Sequence, residues 1–557
     1  MARMIQASAS VRSAPHVAEG VAVAGLRIAR EPWLGGTALS YPDRVPTVVD
    51  ALDRAIREFG RREAIVAPEG RFSYTDLGEL VEGAVARLRE EGLRPGDRLA
   101  IAARNGIDLA VALLACARGG FVMVGLNVRL RAPQWAYMLS HSGARLAIAA
   151  DEFAVDLAAA GKEAGLEPER VRNVDDLMTG RRQTWGFTAE QRPAEDATFA
   201  VVYTSGTTGR PKASRVVHRC SIHSATTYVH VIGMTGADRT AVAFPLYYIT
   251  GLHAHLLPMM LVGGTSVLLA DARPREYVAA LAAERITWMY VVPSFWLLLL
   301  REEGFRWPAL GHVVRGAFGG SPFPARALAQ IRERMPQLRL FDIYGLSETH
   351  SPATMLTDIE FRRKPGSVGR PLPCMEARVV DDEGMVLGAD QAGELHLRGS
   401  LVTTGYDGDP DGTAAAIDSD GWFATGDLAR LDADGYVTIL DRKKDMITRG
   451  GNKIFSVEVE QLLLRHPRIG DAAVVGIPDA LAYEAVAAFV VPLVGEQVSP
   501  RDVKEWVATN MADYAVPRQV RVVDAIPRNQ IGKISKPALR QRLLDELPHL
   551  RRAAERR

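Results

Sequence analysis

Within the ten residues Tyr203-Thr204-Ser205-Gly206-Thr207-Thr208-Gly209-Arg210-Pro211-Lys212 stand four aliphatic hydroxyls, two glycines and a lysine. Glycines let backbone N–H groups approach an anion closely, hydroxyls donate further hydrogen bonds, and an ammonium adds a compact positive charge. The chemistry such a loop offers is the holding of a polyanion. It is not a Walker A loop, because Gly206 and Lys212 do not fit Gly-x4-Gly-Lys-Ser/Thr. A surface turn has the same composition, so the loop needs partners elsewhere in the chain.

Four further stretches could supply them. Tyr344-Gly345-Leu346-Ser347-Glu348-Thr349 places a hydroxyl and a carboxylate after an apolar run that includes Asp342. Together they can serve a metal–phosphate centre, since Mg²⁺ takes a few carboxylates plus phosphate oxygens and water. Alone, Ser-Glu reads as a helix start. Thr425-Gly426-Asp427 offers an acceptor-only carboxylate suited to a diol, or an ordinary turn. Arg449-Gly450-Gly451-Asn452-Lys453 and Asn529-Gln530-Ile531-Gly532-Lys533 join glycine to lysine, which in isolation is a solvated turn. Only nine of the 67 basic residues are lysine, yet Lys212, Lys443, Lys444, Lys453 and Lys533 all fall in or beside glycine-rich stretches. Arginine is the default cation of this chain, and it cannot always replace a small, rotatable ammonium.

These residues must be held by regular elements. Residues 200–202 read as the end of a buried strand feeding the first loop, and 339–343 as another before Tyr344. Periodicity predicts helices over 48–60, 77–91 (with Thr75 as cap), 109–118 and 274–284, and strands over 98–103, 265–269 and 287–292. Such alternation argues for parallel sheets covered by helices. After Pro371 the texture changes to short strands, 377–380, 393–398 and 437–440, among Gly and Asp turns. A charge run at Asp441-Arg442-Lys443-Lys444-Asp445 precedes a smaller unit with helices over 457–465 and 500–511 and strands over 472–476 and 485–491. The expected fold class is therefore α/β. It comprises a large N-terminal domain of parallel sheets and helices with a β-rich subdomain, then a small α+β C-terminal domain. The expected boundaries are an N-terminal extension over 1–40, a large domain over 41–441, a junction at 442–445 and a small domain over 446–557.

At 557 residues the chain is too long for one ordinary core. A hydrophobic content of 47% and a charged content of 24% are those of a globular protein. A formal net charge of +1 gives no reason to expect nucleic acid or an anionic membrane as partner. No apolar run reaches the roughly 20 residues of a membrane span, so no stable membrane insertion is expected. Cys116, Cys220 and Cys374 form neither a metal spacing nor a disulfide framework, which favours a cytoplasmic location.

Taken in order, these stretches resemble those of the adenylate-forming superfamily, most closely the acyl-CoA synthetases, from about Pro42 to Arg540. The resemblance implies ATP, Mg²⁺ and CoA as cofactors and an AMP-forming acid–thiol ligase reaction. It implies that Thr204, Ser205, Gly206, Thr207, Thr208, Gly209 and Lys212 cradle the ATP phosphates. By the same resemblance Glu348, with Thr204, holds Mg²⁺, Ser347 contacts the α-phosphate, and Tyr344 stacks near adenine beside Asp342 and Gly345. Gly319-Gly320-Ser321 lies on the other side of the base, and Asp427 with Arg442 holds the ribose. Asp441 to Ile447 matches the family's hinge, about whose Lys444 the small domain turns. Lys533 corresponds to the catalytic lysine of adenylation, and Arg449, Gly450 and Gly451 to the stretch along which pantetheine reaches the adenylate.

One segment departs from the pattern. Phe244-Pro245-Leu246-Tyr247-Tyr248-Ile249-Thr250-Gly251 resembles the family's Pro-Leu-Phe-His-x-x-Gly segment, but the aromatic–histidine pair ends here in Tyr248. Tyrosine stacks and hydrogen-bonds but does not become cationic near neutral pH. No acid lies near Tyr248, which disfavours an amino-acid substrate. The expected acyl pocket is Tyr247, Tyr248, Pro293, Phe295, Trp296, Gly319 and Ile343, which suits a hydrophobic carboxylic acid, although Phe295 and Trp296 taken singly read better as ordinary core. Transfer to a carrier-protein thiol instead of CoA, or a single half-reaction, are the alternatives. Whether the chain forms a homodimer is left open by the sequence.

Overall fold

The computed structural model describes residues 16–204, 211–321, 323–479, 481–528, 534–547 and 550. Among them the larger part carries three large sheets. A nine-stranded sheet has at its centre six parallel strands, in the order Arg339–Tyr344, Arg315–Gly319, Trp288–Tyr290, Arg239–Val242, Thr265–Leu268 and Glu63–Ala67. Strands such as Trp288–Tyr290 and Thr265–Leu268 are buried at every position, because helices cover both faces of a parallel sheet. A six-stranded sheet runs Lys212–Val217, Thr198–Thr204, Val122–Gly125, Arg98–Ala102, Ala144–Ala149, Val171–Asn173. It is parallel except for its first pair, an antiparallel hairpin registered Thr204 opposite Lys212. Helix Ile107–Gly119 is buried along nearly its whole length, as its all-round apolar sequence demands.

The third sheet is antiparallel: Val17–Glu19, Met375–Val380, Ala392–Gly399, Phe423–Leu431, Val437–Arg442. Its first strand comes from the N-terminal stretch, and the hairpin of Ala29–Trp33 with Gly36–Ser40 packs nearby through the Arg30–Glu376 ion pair at 2.9 Å. After the charge run, strands Asn452–Ile454, Ile447–Arg449, Tyr483–Pro492 and Ile469–Asp479 form a further sheet, joined by Gln519–Val522. Its strands alternate faces. Val474 and Val486 pack with Val459, Val503 and Val507, while Val475 and Ala487 pack with Leu539 and Leu543 of helix Lys536–Glu546.

Two local expectations change. The second helix spans Tyr74–Glu90 and is capped by Ser73, not Thr75: Ser73 Oγ accepts from Asp76 N at 3.1 Å, and Asp76 Oδ2 accepts from Ser73 N at 2.9 Å. This reciprocal box wins because it also buries Tyr74, whose hydroxyl donates to the carbonyls of Met259 and Gly264. The apolar run over 245–262 suggests by sequence a break at Gly251, but a wide turn over Leu252–Leu256 carries the helix through to Val262. Among the described residues no helix is long and apolar enough to cross a membrane, and all three cysteines are buried and unpaired.

Candidate active site

A cavity of about 2060 Å³ opens where the tips of strands Arg315–Gly319, Arg339–Tyr344 and Thr198–Thr204 meet the antiparallel sheet and the smaller unit. Ligands of open α/β sheets bind at the carboxyl ends of the strands, and this cavity lies there. Of the residues singled out by sequence, Thr204, Lys212, Tyr248, Gly320, Ser321, Asp342, Ile343, Tyr344, Gly345, Ser347, Glu348, Asp427, Arg442 and Lys444 line it.

At one end Lys212 and Glu348 are joined through a residue that sequence spacing did not reveal. The Lys212 ammonium sits 4.5 Å from the centre of the Tyr406 ring, and the Tyr406 hydroxyl donates to Glu348 Oε1 at 3.0 Å. Burial and the neighbouring Glu348 push the Tyr406 phenol well above its ordinary value, so it stays a neutral donor. Glu348 is held in turn by its own turn. Thr403 N donates to Glu348 O at 2.7 Å, and the next residues, His350 and Ser351, adopt positive φ of 51° and 90°. Neutral His350 accepts from Val217 N at 3.2 Å, tying this strained turn to the strand that begins at Lys212. The glycine before it is required: a Cβ on Gly345 would lie 1.4 Å from Ser351 O.

Across the cavity, Asp427 is buried, accepts from the Tyr344 hydroxyl at 2.6 Å and pairs with Arg442 Nε at 2.7 Å. The two partners stand opposite each other in the ladder of strands Phe423–Leu431 and Val437–Arg442. Gly426, at φ 72°, makes the left-handed turn that delivers Asp427, a conformation costly to side chains with a Cβ. Asp342 shares this region. Loss of water on burial pushes its carboxyl up to about 8, and the residue lines the cavity.

The inner end is marked by Tyr248. Asn127 Nδ2 donates to the Tyr248 hydroxyl at 2.8 Å, leaving the phenolic proton able to donate into the cavity. Burial raises that phenol too, so it does not ionise near neutral pH. The other aromatic candidates are placed elsewhere. Tyr247 is buried against Gly125 with its hydroxyl accepting from Val128 N. Helix Pro293–Leu299 turns Trp296 into the core, where its ring meets Phe305 and its indole N–H donates to Ala317 O at 3.0 Å. Phe295 packs edge-on to Tyr277, and Pro293 and Gly319 also lie off the cavity wall.

Ser205, Gly206, Thr207, Thr208, Gly209 and Lys533 lie outside the described residues. Arg528 and Ile534, at the two ends of the stretch containing Lys533, line the cavity and bridge to one another. Gly450 and Gly451 are exposed, with positive φ and open space around an added Cβ, and are not on the cavity wall. Arg449 donates to the carbonyls of Tyr514 and Val516 within the smaller unit.

Fold and site together define an adenylate-forming enzyme, with a large nucleotide-binding unit followed by a small one. The chain belongs to the AMP-binding enzyme family: residues 52–407 match the AMP-binding enzyme domain and residues 458–533 the AMP-binding enzyme C-terminal domain. It is 33% identical over 509 residues, 89% of this chain and 98% of the relative, to a (7a-methyl-1,5-dioxo-octahydro-1H-inden-4-yl)propanoyl:CoA ligase of Mycobacterium tuberculosis. It is 32% identical to a feruloyl-CoA synthase of Amycolatopsis sp, covering 84% of this chain and 94% of the relative. Among solved structures, ATP-bound MatB from Rhodopseudomonas palustris superposes with a TM-score of 0.82 at 27% identity, over 89% of this chain and 99% of that one. The protein is thus an AMP-forming acid–thiol ligase of the acyl-CoA synthetase kind.

Proposed function

We propose that this enzyme activates a bulky, hydrophobic carboxylic acid as its acyl-adenylate and then transfers the acyl group to CoA. The observation that carries the nucleotide half is the pair of anchors facing one cavity, Lys212–Tyr406–Glu348 and Tyr344–Asp427–Arg442. They are suited to the phosphates and the ribose of one ATP molecule. The acid is assigned to the Tyr248 end, where a neutral phenol, held by Asn127, and apolar Ile343 line the cavity. The two relatives named for ring-bearing acids support that size class.

In the first step an acid oxygen bonds to the α-phosphorus as its bond to the departing pyrophosphate breaks. Charge gathers on phosphate oxygens, so catalysis is mainly positioning and electrostatics. Lys212 and the hydroxyls after Thr204 hold the departing phosphates, Ser347 the α-phosphate, and Asp427 with Arg442 fixes the ribose. Glu348 with Thr204 would hold Mg²⁺, a fit for an ion that takes few protein ligands, and bound Mg²⁺ neutralises phosphate charge. Lys533 is assigned to the acid and α-phosphate; the placement of Arg528 and Ile534 on the cavity wall supports this. For the second step the small domain, residues 446–557, turns about the junction at 442–445, bringing Gly450 and Gly451 to the cavity as the pantetheine path.

ATP–pyrophosphate exchange across a panel of aryl, fatty and polycyclic acids, followed by CoA addition and mass analysis of the product, tests the reading. Thioester formation from supplied acyl-adenylate, with no exchange on any acid, would refute the two-step assignment.

A further inference from the structure

Asp441, the penultimate residue of strand Val437–Arg442, is 1% exposed; its Oδ1 accepts from Arg442 N at 2.8 Å, while its Oδ2 reaches the smaller unit. Its Oδ2 accepts from both the backbone N and the hydroxyl of Ser456, the latter at 2.7 Å. Ser456 opens helix Ser456–Leu464, so the carboxylate satisfies a first-turn N–H and meets the positive end of that helix. The Ser456 hydroxyl also accepts from Lys536 Nζ. Lys536 pairs at 3.0 Å with Glu460 Oε1, which further accepts from Val474 N at 2.8 Å. Burial raises both carboxyls and the shared ammonium opposes it, so the cluster is a coupled, water-poor network.

Asp441 precedes Lys444 by three residues and Ser456 follows it by twelve. A turn of the smaller unit about Lys444 therefore parts Asp441 from Ser456. Lys536 and Glu460 lie on one side of that pivot and travel together. Arg528, Ile534 and Lys536 line the cavity in the orientation seen here, whereas Gly450 and Gly451 do not. Accordingly, we propose that Asp441 is a positioning residue: with Ser456 and Lys536 it latches the smaller unit in the adenylating orientation and must let go before thioester formation. This rests on the two-orientation reading above.

The latch biases one half-reaction against the other, which a merely structural residue would not do. In Asp441→Ala, ATP–pyrophosphate exchange should fall about tenfold to a hundredfold, the span expected for losing hydrogen bonds to a buried charge. Thioester formation from supplied acyl-adenylate should hold or rise. Ser456→Ala, which keeps the backbone bond, should fall less, and Asp441→Asn, which keeps an acceptor, should recover part of the loss. Equal loss in both halves, or unchanged exchange in Asp441→Ala, overturns the proposal. Should Asp441→Ala fail to fold, the same ratio is read from Asp441→Asn and Ser456→Ala. Absence of exchange in the unsubstituted enzyme would instead count against the ligase reading itself.

Discussion

Tyr406 performs two tasks that two substitutions can separate. Its hydroxyl donates to Glu348, and its ring lies under the Lys212 ammonium. Tyr406→Phe removes the first contact and keeps the second. A hydrogen bond to a charged group contributes about 1.5–3 kcal/mol. Glu348 faces the cavity and can recruit water in compensation, so the lower half of that range applies. The expected loss in kcat/KM for ATP–pyrophosphate exchange is about 13- to 45-fold. It should appear with an increased Mg²⁺ requirement, since Glu348 is the residue assigned to the ion. Tyr406→Leu also removes the ring. A cation–π contact contributes about 0.5–2 kcal/mol, more when desolvated as beside buried Tyr406, a further twofold to 30-fold. Exchange kinetics over a Mg²⁺ titration, with melting temperatures of both variants, give the measurement. If the two variants are equally impaired, the ring is not steering Lys212. If Tyr406→Phe is as active as its parent, the hydroxyl does not support Glu348.

Three further outcomes are expected. Tyr248→Phe should raise KM for the acid about three- to tenfold through loss of one neutral hydrogen bond and leave KM for ATP unchanged; a change in ATP alone would move Tyr248 out of the acyl end. Asp427→Ala should abolish discrimination between ATP and 2′-deoxyATP, whereas retained discrimination would reject the ribose assignment. Burial lowers His218, His253 and His255 to about 3 and holds His223 and His350 well below the ordinary value. Between those values and about 6.5 the unfolded chain binds protons that the folded one refuses, so stability falls as pH falls, by up to about 1.4 kcal/mol per pH unit for each histidine. A melting temperature that stays flat from pH 7 to pH 5 would contradict this.

Elements with a strong period were legible in the sequence, because apolar spacing records which face is buried. Helix Pro274–Ala283, strand Arg98–Ala102 and the strand before Tyr344 fall within two residues of their expected bounds. Short stretches also pointed to Thr204, Lys212, Tyr344, Glu348 and Asp427, which line one cavity, because each packs its polar groups into a few consecutive residues. Contacts between distant residues were not. Tyr406 meets Glu348 across 58 positions and Asn127 meets Tyr248 across 121, and no local pattern encodes either. Trp296 and Phe295 enter the expected pocket on aromatic character alone, and they follow strand Trp288–Tyr290. That strand is followed at once by a helix, and a one-residue step along a helix turns a side chain by about 100°. Ser73 outcompeted Thr75 as a cap because capping depends on where the backbone leaves its strand, a tertiary matter.

The strand Val17–Glu19 has a consequence unrelated to catalysis. It pairs with Met375–Val380 and so occupies what would otherwise be the bare rim of the antiparallel sheet. Unsatisfied strand rims recruit other chains. Proteolytic trimming past Glu19 should therefore shorten the protein's shelf life, through slow self-association visible by light scattering, well before it dulls the chemistry. Affinity handles belong upstream of that strand with a spacer, and homologous replacements of the N-terminal stretch should be judged by colloidal behaviour as well as by turnover.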